Sequence, residues 1–238
     1  MKQASSPAAR LRRMYDALLA AYGPQQWWPA ETPFEVVLGA YLTQNTAWKS
    51  VERSLANLRA APALTVAGIR AIAVEDLKVL IRPSGFQTRK GPAIKAFVAM
   101  LDAEFAGSLA VLSASPTDAV RLRLLALPGV GQETADAILL YALGHPVPVA
   151  DEYLRRIALR HGLLAPAPGR KGYHALASLT RQAFAADAES KLAGLYNETH
   201  ALTVAVGKTH CRRTAACTGC PLAFDLAARP SPNPLREA

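Results

Sequence analysis

Two glycines one residue apart, Gly129 and Gly131, stand between a helical stretch ending near Leu127 and another beginning at Gln132. So short a link between two helices demands a tight hairpin. The segment reads Leu127-Pro128-Gly129-Val130-Gly131 and continues as a helix to about Leu143. At the start of that second helix the backbone N–H groups point outward, and the helix dipole favours an anion there. A DNA phosphate is held in this way without any side chain, and so without regard to base sequence. An ordinary glycine-rich turn carries the same five residues.

The rest of the chain is also patterned for helices. Leu11, Tyr15, Leu18, Leu19 and Tyr22 recur at helical spacing before Gly23-Pro24 breaks the run. Thr32-Pro33-Phe34-Glu35 has the form of a capping box with proline at the first helical position. Phe34, Val37, Leu38, Tyr41 and Leu42 follow on one face, and Trp48, Val51, Leu55 and Leu58 mark a further helix. Ser115-Pro116-Thr117-Asp118 resembles the first start signal and opens a helix ending near Leu127. Pro166 to Gly172 reads as a loop, and Pro146-Val147-Pro148-Val149 as a short extended connector. No alternating strand pattern is evident. The head, Met1 to Ala8, and the proline-rich tail, Arg229 to Ala238, are expected to be mobile.

Composition narrows the partner. Hydrophobic residues make up 51% of the 238, which excludes general disorder. The net charge of +9 points to a polyanion, nucleic acid first, although a generic basic surface has the same sum. No apolar run reaches the roughly 18 residues of a membrane span. The basic N-terminus lacks the apolar core of a signal peptide, so a cytoplasmic protein is expected. All three cysteines lie between Cys211 and Cys220, which argues against a disulfide scaffold.

Asp151 follows the hairpin by about twenty residues, behind a Val/Pro-rich link. Aspartate is a favoured helix cap, and capping alone would explain it. Yet Leu-Pro-Gly-Val-Gly, a helix beginning Thr134-Ala135, that link and the aspartate together resemble the defining motif of the endonuclease III superfamily of DNA glycosylases. Leu42-Thr43-Gln44-Asn45-Thr46 resembles the segment by which that family enters DNA from the minor groove. Arg82-Pro83-Ser84-Gly85-Phe86 with Arg89-Lys90 resembles its second DNA-contacting loop. The resemblance runs from about Trp27 to Leu226. It implies an all-α fold of two helical lobes with a DNA-binding cleft between them. The expected boundaries are a six-helix lobe over 33–146 bearing the hairpin, and a second lobe of 9–32 plus 147–228 bearing Asp151 and a C-terminal cysteine loop, with 229–238 as tail.

The family's strand-cleaving members carry a lysine two residues after the second glycine, whose amine forms a Schiff base with the sugar. Here that position is Glu133, and a carboxylate forms no imine. Hydrolysis is then the natural reaction: an ionised Asp151 stabilises the oxocarbenium-like sugar and orients or deprotonates water. Glu133 is either a pocket residue or a solvated helix residue. Trp27-Trp28-Pro29 with Trp48 accounts for every tryptophan of the chain. With the two loop segments, this trio resembles the 3-methyladenine branch of the superfamily. Stacked aromatic faces suit a flipped, cationic alkylpurine, although the tryptophans would equally fill a core. Gln44 is the candidate to occupy the hole left by the flipped nucleotide, and Phe86 the candidate wedge. Arg82, Arg89, Lys90, Lys208, Arg212 and Arg213, with Gly129 and Gly131, are candidate phosphate contacts.

Cys211, Cys217 and Cys220 stand where the family keeps a [4Fe–4S] cluster. The family's pattern has four cysteines. Here the first gap is one residue short and the last ligand is missing, with Asp225 near its place and His210 beside Cys211. Zinc, or a loop that binds nothing, are the other readings. The expected partner is duplex DNA holding a damaged base, bound by a monomer with no membrane involved. The competing functions are an oxidised-pyrimidine glycosylase with lyase activity and a non-catalytic helix-hairpin-helix DNA-binding protein.

Overall fold

The computed structural model describes residues 5–226, and among these every regular element is a helix apart from a lone bridge between Cys211 and Ala215. The tail expected over 229–238 lies outside the described residues. Two compact units emerge. One joins the described residues up to Trp27 to those from Pro146 onward. The other runs from Trp28 to His145.

The first unit opens with α1 (Pro7–Tyr22), capped by Ser6, whose hydroxyl accepts from the Ala9 N–H at 3.2 Å. The head is therefore helical from Pro7, against the expectation of mobility to Ala8. The serine cap and the first-position proline are the reason. After Pro146 the chain has no regular structure up to Asp151 and then forms α10 (Glu152–Arg160), α11 (Gly169–Ala183), α12 (Glu189–Thr209) and the short α13 (Ala223–Leu226). The loop expected to reach Gly172 ends four residues earlier, at Pro168. α1 packs on α11 and α12, and α10 on α12. Leu11, Leu18, Ile157, Leu202 and Leu222 are almost fully buried, each contributing about 1.5–3 kcal/mol of hydrophobic stabilisation. Phe184 sits edge-on to Tyr15, with centroids 5.2 Å apart.

The second unit holds α2 (Pro33–Leu42), α3 (Trp48–Ala60), α4 (Val66–Ala71), α5 (Val74–Leu80), a 3-10 turn (Arg82–Ser84), α6 (Gln87–Glu104), α7 (Leu109–Ser113), α8 (Thr117–Leu125) and α9 (Gln132–Ala137). Short helices such as α4 and α7 take it past the six expected. α9 runs on as a wider π-helical turn over Ile138–Ala142 and closes at Gly144, whose φ is +75°. α2 is the central helix, with every residue from Phe34 to Leu42 buried, packed on α3, α6 and the π-helical turn. Its cap departs from the expected box in one respect. Thr32 accepts from the Glu35 N–H at 3.1 Å, but the Glu35 carboxylate accepts from Glu31, one residue before the cap. The signal at Ser115 also works differently. α8 has Pro116 at its cap with no side-chain bond, and the Ser115 hydroxyl turns back to the Val111 carbonyl. No helix of the described residues is long and apolar enough to cross a membrane.

Candidate active site

Asp151 caps α10. One carboxylate oxygen, Oδ1, accepts from the Leu154 N–H at 2.8 Å. The other, Oδ2, lies 3.6 Å from Nε2 of His200 on α12. The residue is only 5% exposed. The cap fixes the side chain by spending one oxygen and leaves the second turned toward a histidine that periodicity alone did not single out. His200 lies mid-helix, 49 positions away in sequence, and only the packing of α10 on α12 brings the two together.

The hairpin is formed as its glycines demand. Gly129 has a φ of +74°, a left-handed conformation that L side chains rarely adopt. Gly131 has an ordinary φ, and a side chain there would meet nothing within 4 Å. Both glycines are exposed, and α9 starts directly after them. Glu133 is exposed in the first turn of α9. Gln44 turns toward this hairpin: its Nε2 donates to the Gly129 carbonyl and to the Thr134 hydroxyl, both at 3.0 Å.

Two neighbouring turns carry residues in strained backbone. Asn45, next to Gln44, has a φ of +50°, and Phe86 has a φ of +49°. Phe86 is 56% exposed, among the most exposed large apolar side chains described. Arg82 and Arg89 are exposed nearby in the chain. Lys90 corrects the sequence reading. It is 4% exposed, and its ammonium donates to the Leu42 carbonyl, the Thr46 hydroxyl and the Ser84 carbonyl at 2.7, 2.8 and 2.9 Å. It turns into the protein, not toward a phosphate, because its three donors find three acceptors inside. Burial pushes its pKa down to about 8.

Trp28 and Trp48 are brought together, edge to face at 5.4 Å, and Tyr141 adds a third ring 5.4 Å from Trp28. All three are half-buried. Trp28 lies so close to α2 that a side chain at Gly39 would come within 3.1 Å of it. Trp27 belongs to the other unit, where the Lys208 ammonium lies 5.7 Å from its ring. Tyr141 went unread in sequence because it sits in the π-helical turn, off the 3.6-residue register.

The cysteine loop does not offer a closed ligand set. Cys211 is buried, Cys220 half-buried and Cys217 exposed. Among the described residues no three His, Cys, Asp or Glu side chains stand together in a way that would hold a metal. Asp225, considered as a fourth ligand, is engaged elsewhere. It accepts from Arg10 Nε at 2.8 Å and Nη2 and pairs with His161 Nδ1 at 2.9 Å, all three residues being buried. Desolvation works against the Asp225 charge, but the Arg10 and His161 hydrogen bonds outweigh it and hold the carboxyl below its ordinary pKa. The loop's other anchors are also side chains. Arg160 donates to the Cys211 sulfur at 3.0 Å and to the Arg213 carbonyl at 2.7 Å, and Arg156 to the Cys211 carbonyl at 3.1 Å. The residues present therefore do not fit a [4Fe–4S] cluster. Arg212 and Arg213 are exposed on this loop.

Hairpin, Val/Pro-rich link and capping aspartate lie within a segment, residues 38–182, that matches the HhH-GPD superfamily base excision DNA repair proteins. The chain belongs to the HhH-GPD superfamily. Its activity class is that of a base excision repair DNA glycosylase. A Methanocaldococcus jannaschii protein named "Putative DNA repair glycosylase" is 39% identical over 212 residues, 88% of this chain and 92% of the relative. An H. pylori 3-methyladenine DNA glycosylase, MagIII, solved with 1,N6-ethenoadenine, superposes with a TM-score of 0.73. It is 28% identical, covering 86% of this chain and 98% of that one. A trapped endonuclease III–DNA covalent intermediate superposes with a TM-score of 0.72 over 91% and 94% of the two chains. At 22% identity, that match speaks for a shared HhH-GPD fold alone.

Proposed function

We propose that this HhH-GPD glycosylase hydrolyses an alkylated purine such as 3-methyladenine from duplex DNA and leaves the strand intact. The observation that carries the reading is Glu133. Where the family's strand-cleaving members place an amine, an exposed carboxylate opens α9. No Schiff base forms with a carboxylate, so water must complete the reaction. Asp151 supplies what that water needs. Its Oδ2 is not used by the helix cap, and its negative charge opposes the positive charge that develops on the sugar. An alkylated purine is already a good leaving group, so the site needs no strong general acid.

Base preference is read from the aromatic cluster. Trp28, Trp48 and Tyr141 present half-buried faces suited to a flat cationic base. The MagIII likeness supports this branch. Gln44 and Phe86 are assigned to the DNA helix, as hole filler and wedge. Arg89, Arg212, Arg213 and the hairpin N–H groups after Gly129 and Gly131 are assigned to phosphates. A monomer acting on damaged duplex DNA completes the proposal.

The test is purified protein on duplexes holding 3-methyladenine, thymine glycol, uracil or 8-oxoguanine, scored with and without alkali. Release of the alkylpurine, with nicks only after alkali, is expected. Cleavage at thymine glycol without alkali would replace this reading with that of an endonuclease III-type lyase. Binding without release of any base would leave a DNA-binding protein.

A further inference from the structure

Lys90 sits where a lysine is disfavoured twice over. It is buried, and it lies in the first turn of α6, where the helix dipole repels a cation. What surrounds it explains how it is held. The three ammonium protons go to three acceptors from separate segments: Leu42 at the end of α2, Thr46 in the turn that follows and Ser84 in the 3-10 turn before α6. The Thr46 hydroxyl itself donates to the Ser84 carbonyl at 2.7 Å. Ser84 in turn is tied to α3 by its N–H and hydroxyl, which meet the Ser54 hydroxyl at 3.1 and 2.7 Å. The Phe86 ring lies 5.8 Å from the ammonium.

The two turns joined in this way are the ones that carry Gln44 and Phe86. Each also contains a non-glycine residue in the left-handed region, Asn45 and Phe86. Such residues cost roughly 1–3 kcal/mol each and persist only where the surroundings over-determine them. The Lys90 web touches both turns at once.

We infer that Lys90 is a positioning residue that locks the 43–46 and 82–86 turns into one two-pronged element, setting the separation at which Gln44 and Phe86 meet DNA. The inference rests on the proposed role of those two turns. Lys90 touches no reacting atom. Its loss acts on opening of the duplex and not on cleavage of the glycosidic bond, so a substrate that needs no opening is spared.

The experiment compares wild type with Lys90→Met, which fills similar space without the donors, and with Thr46→Val, a milder cut in the same web. Two readouts are taken on the full chain. One is single-turnover release of the alkylpurine from duplex and from single-stranded DNA of the same sequence. The other is 2-aminopurine fluorescence opposite an abasic-site analogue in duplex DNA, which reports insertion and needs no chemistry. In duplex DNA, both variants are expected to lose about tenfold or more in release and most of the fluorescence change. Single-strand release should stay within about twofold. Equal losses on the two substrates, or wild-type insertion by a folded Lys90→Met, would overturn the inference. Should Lys90→Met fail to fold, Thr46→Val decides by the same criteria. Should wild type release no alkylpurine, the proposed substrate falls while the fluorescence arm still decides the role of Lys90.

Discussion

Asp151 and His200 face each other from α10 and α12, with Oδ2 and Nε2 3.6 Å apart, while the second Asp151 oxygen caps its own helix. In the proposed mechanism, capping and catalysis are divided between two oxygens of one side chain. Asp151→Asn keeps the capping oxygen and removes the charge, so the helix should survive and the chemistry should not. Base release is expected to fall at least about a hundredfold, with little change in DNA affinity. Wild-type turnover in the variant, measured under single-turnover conditions, would remove Asp151 from the mechanism.

Hydrolysis leaves no covalent link to the protein. Borohydride added during turnover should trap no protein–DNA adduct, and nicks should appear only after hot alkali or an added abasic-site nuclease. Lys191 and Lys208 are the lysines to check if an adduct does form. Mass spectrometry of the trapped peptide would name the amine, and the hydrolytic reading would be wrong.

The aromatic cluster separates stacking from packing. Trp48→Ala should weaken release of a cationic alkylpurine by about 1–3 kcal/mol of transition-state binding if a stacking face is lost. Trp28→Ala should do the same but also lower the melting temperature, because Trp28 packs tightly over Gly39. An equal loss on a neutral lesion would show that the ring serves the fold and not the base.

The Arg10–Asp225–His161 network holds the C-terminal segment with side chains. Asp225→Ala leaves the Arg10 guanidinium buried without a counterion, its remaining bond going to the His161 carbonyl, and breaking a buried ion pair in this way typically costs about 3–5 kcal/mol. A clear drop in melting temperature is expected. Because the residues present do not fit a cluster, anaerobic preparations should contain no stoichiometric iron, and a chelator should leave the melt unchanged. Brown protein with iron in proportion to chain would contradict both expectations.

Lys90 gives opposite pH trends for binding and stability. The groups facing its ammonium, from α2, the Thr46 turn and the Ser84 turn, are uncharged acceptors, and burial sets its pKa at about 8. Below that value three protons meet three acceptors. Above it a lone pair must face one of them, so duplex opening should weaken as pH rises through about 8. Linkage runs the other way. Between about 8 and the ordinary lysine value of 10.5 the unfolded chain holds more protons than the folded one, and the Lys90 contribution to stability rises with pH. Relative to Lys90→Met, wild type should thus gain stability over the window in which it loses insertion. Parallel trends would show that the pH effect arises elsewhere.

The sequence by itself determined the helical class, several helix starts, the hairpin and the aspartate behind it. Those features are written in short-range chemistry: a proline after a threonine, glycines where φ must be positive, apolar residues at helical spacing. Absence of the lysine at position 133 was likewise plain to read, because it is the identity of one residue in one turn. Only tertiary structure decided where long side chains go. Lys90 reads as a phosphate contact in sequence because a lysine in a basic loop is usually solvated. Its burial depends on acceptors from Leu42 and Ser84 converging on one point. Asp225 reads as a metal ligand by its distance from the cysteines, until Arg10, 215 positions away, claims its carboxylate. His200 and Tyr141 carry no local signal at all. Each becomes part of a candidate site through helix packing or a π-helical turn, and neither follows from the spacing of residues along one element.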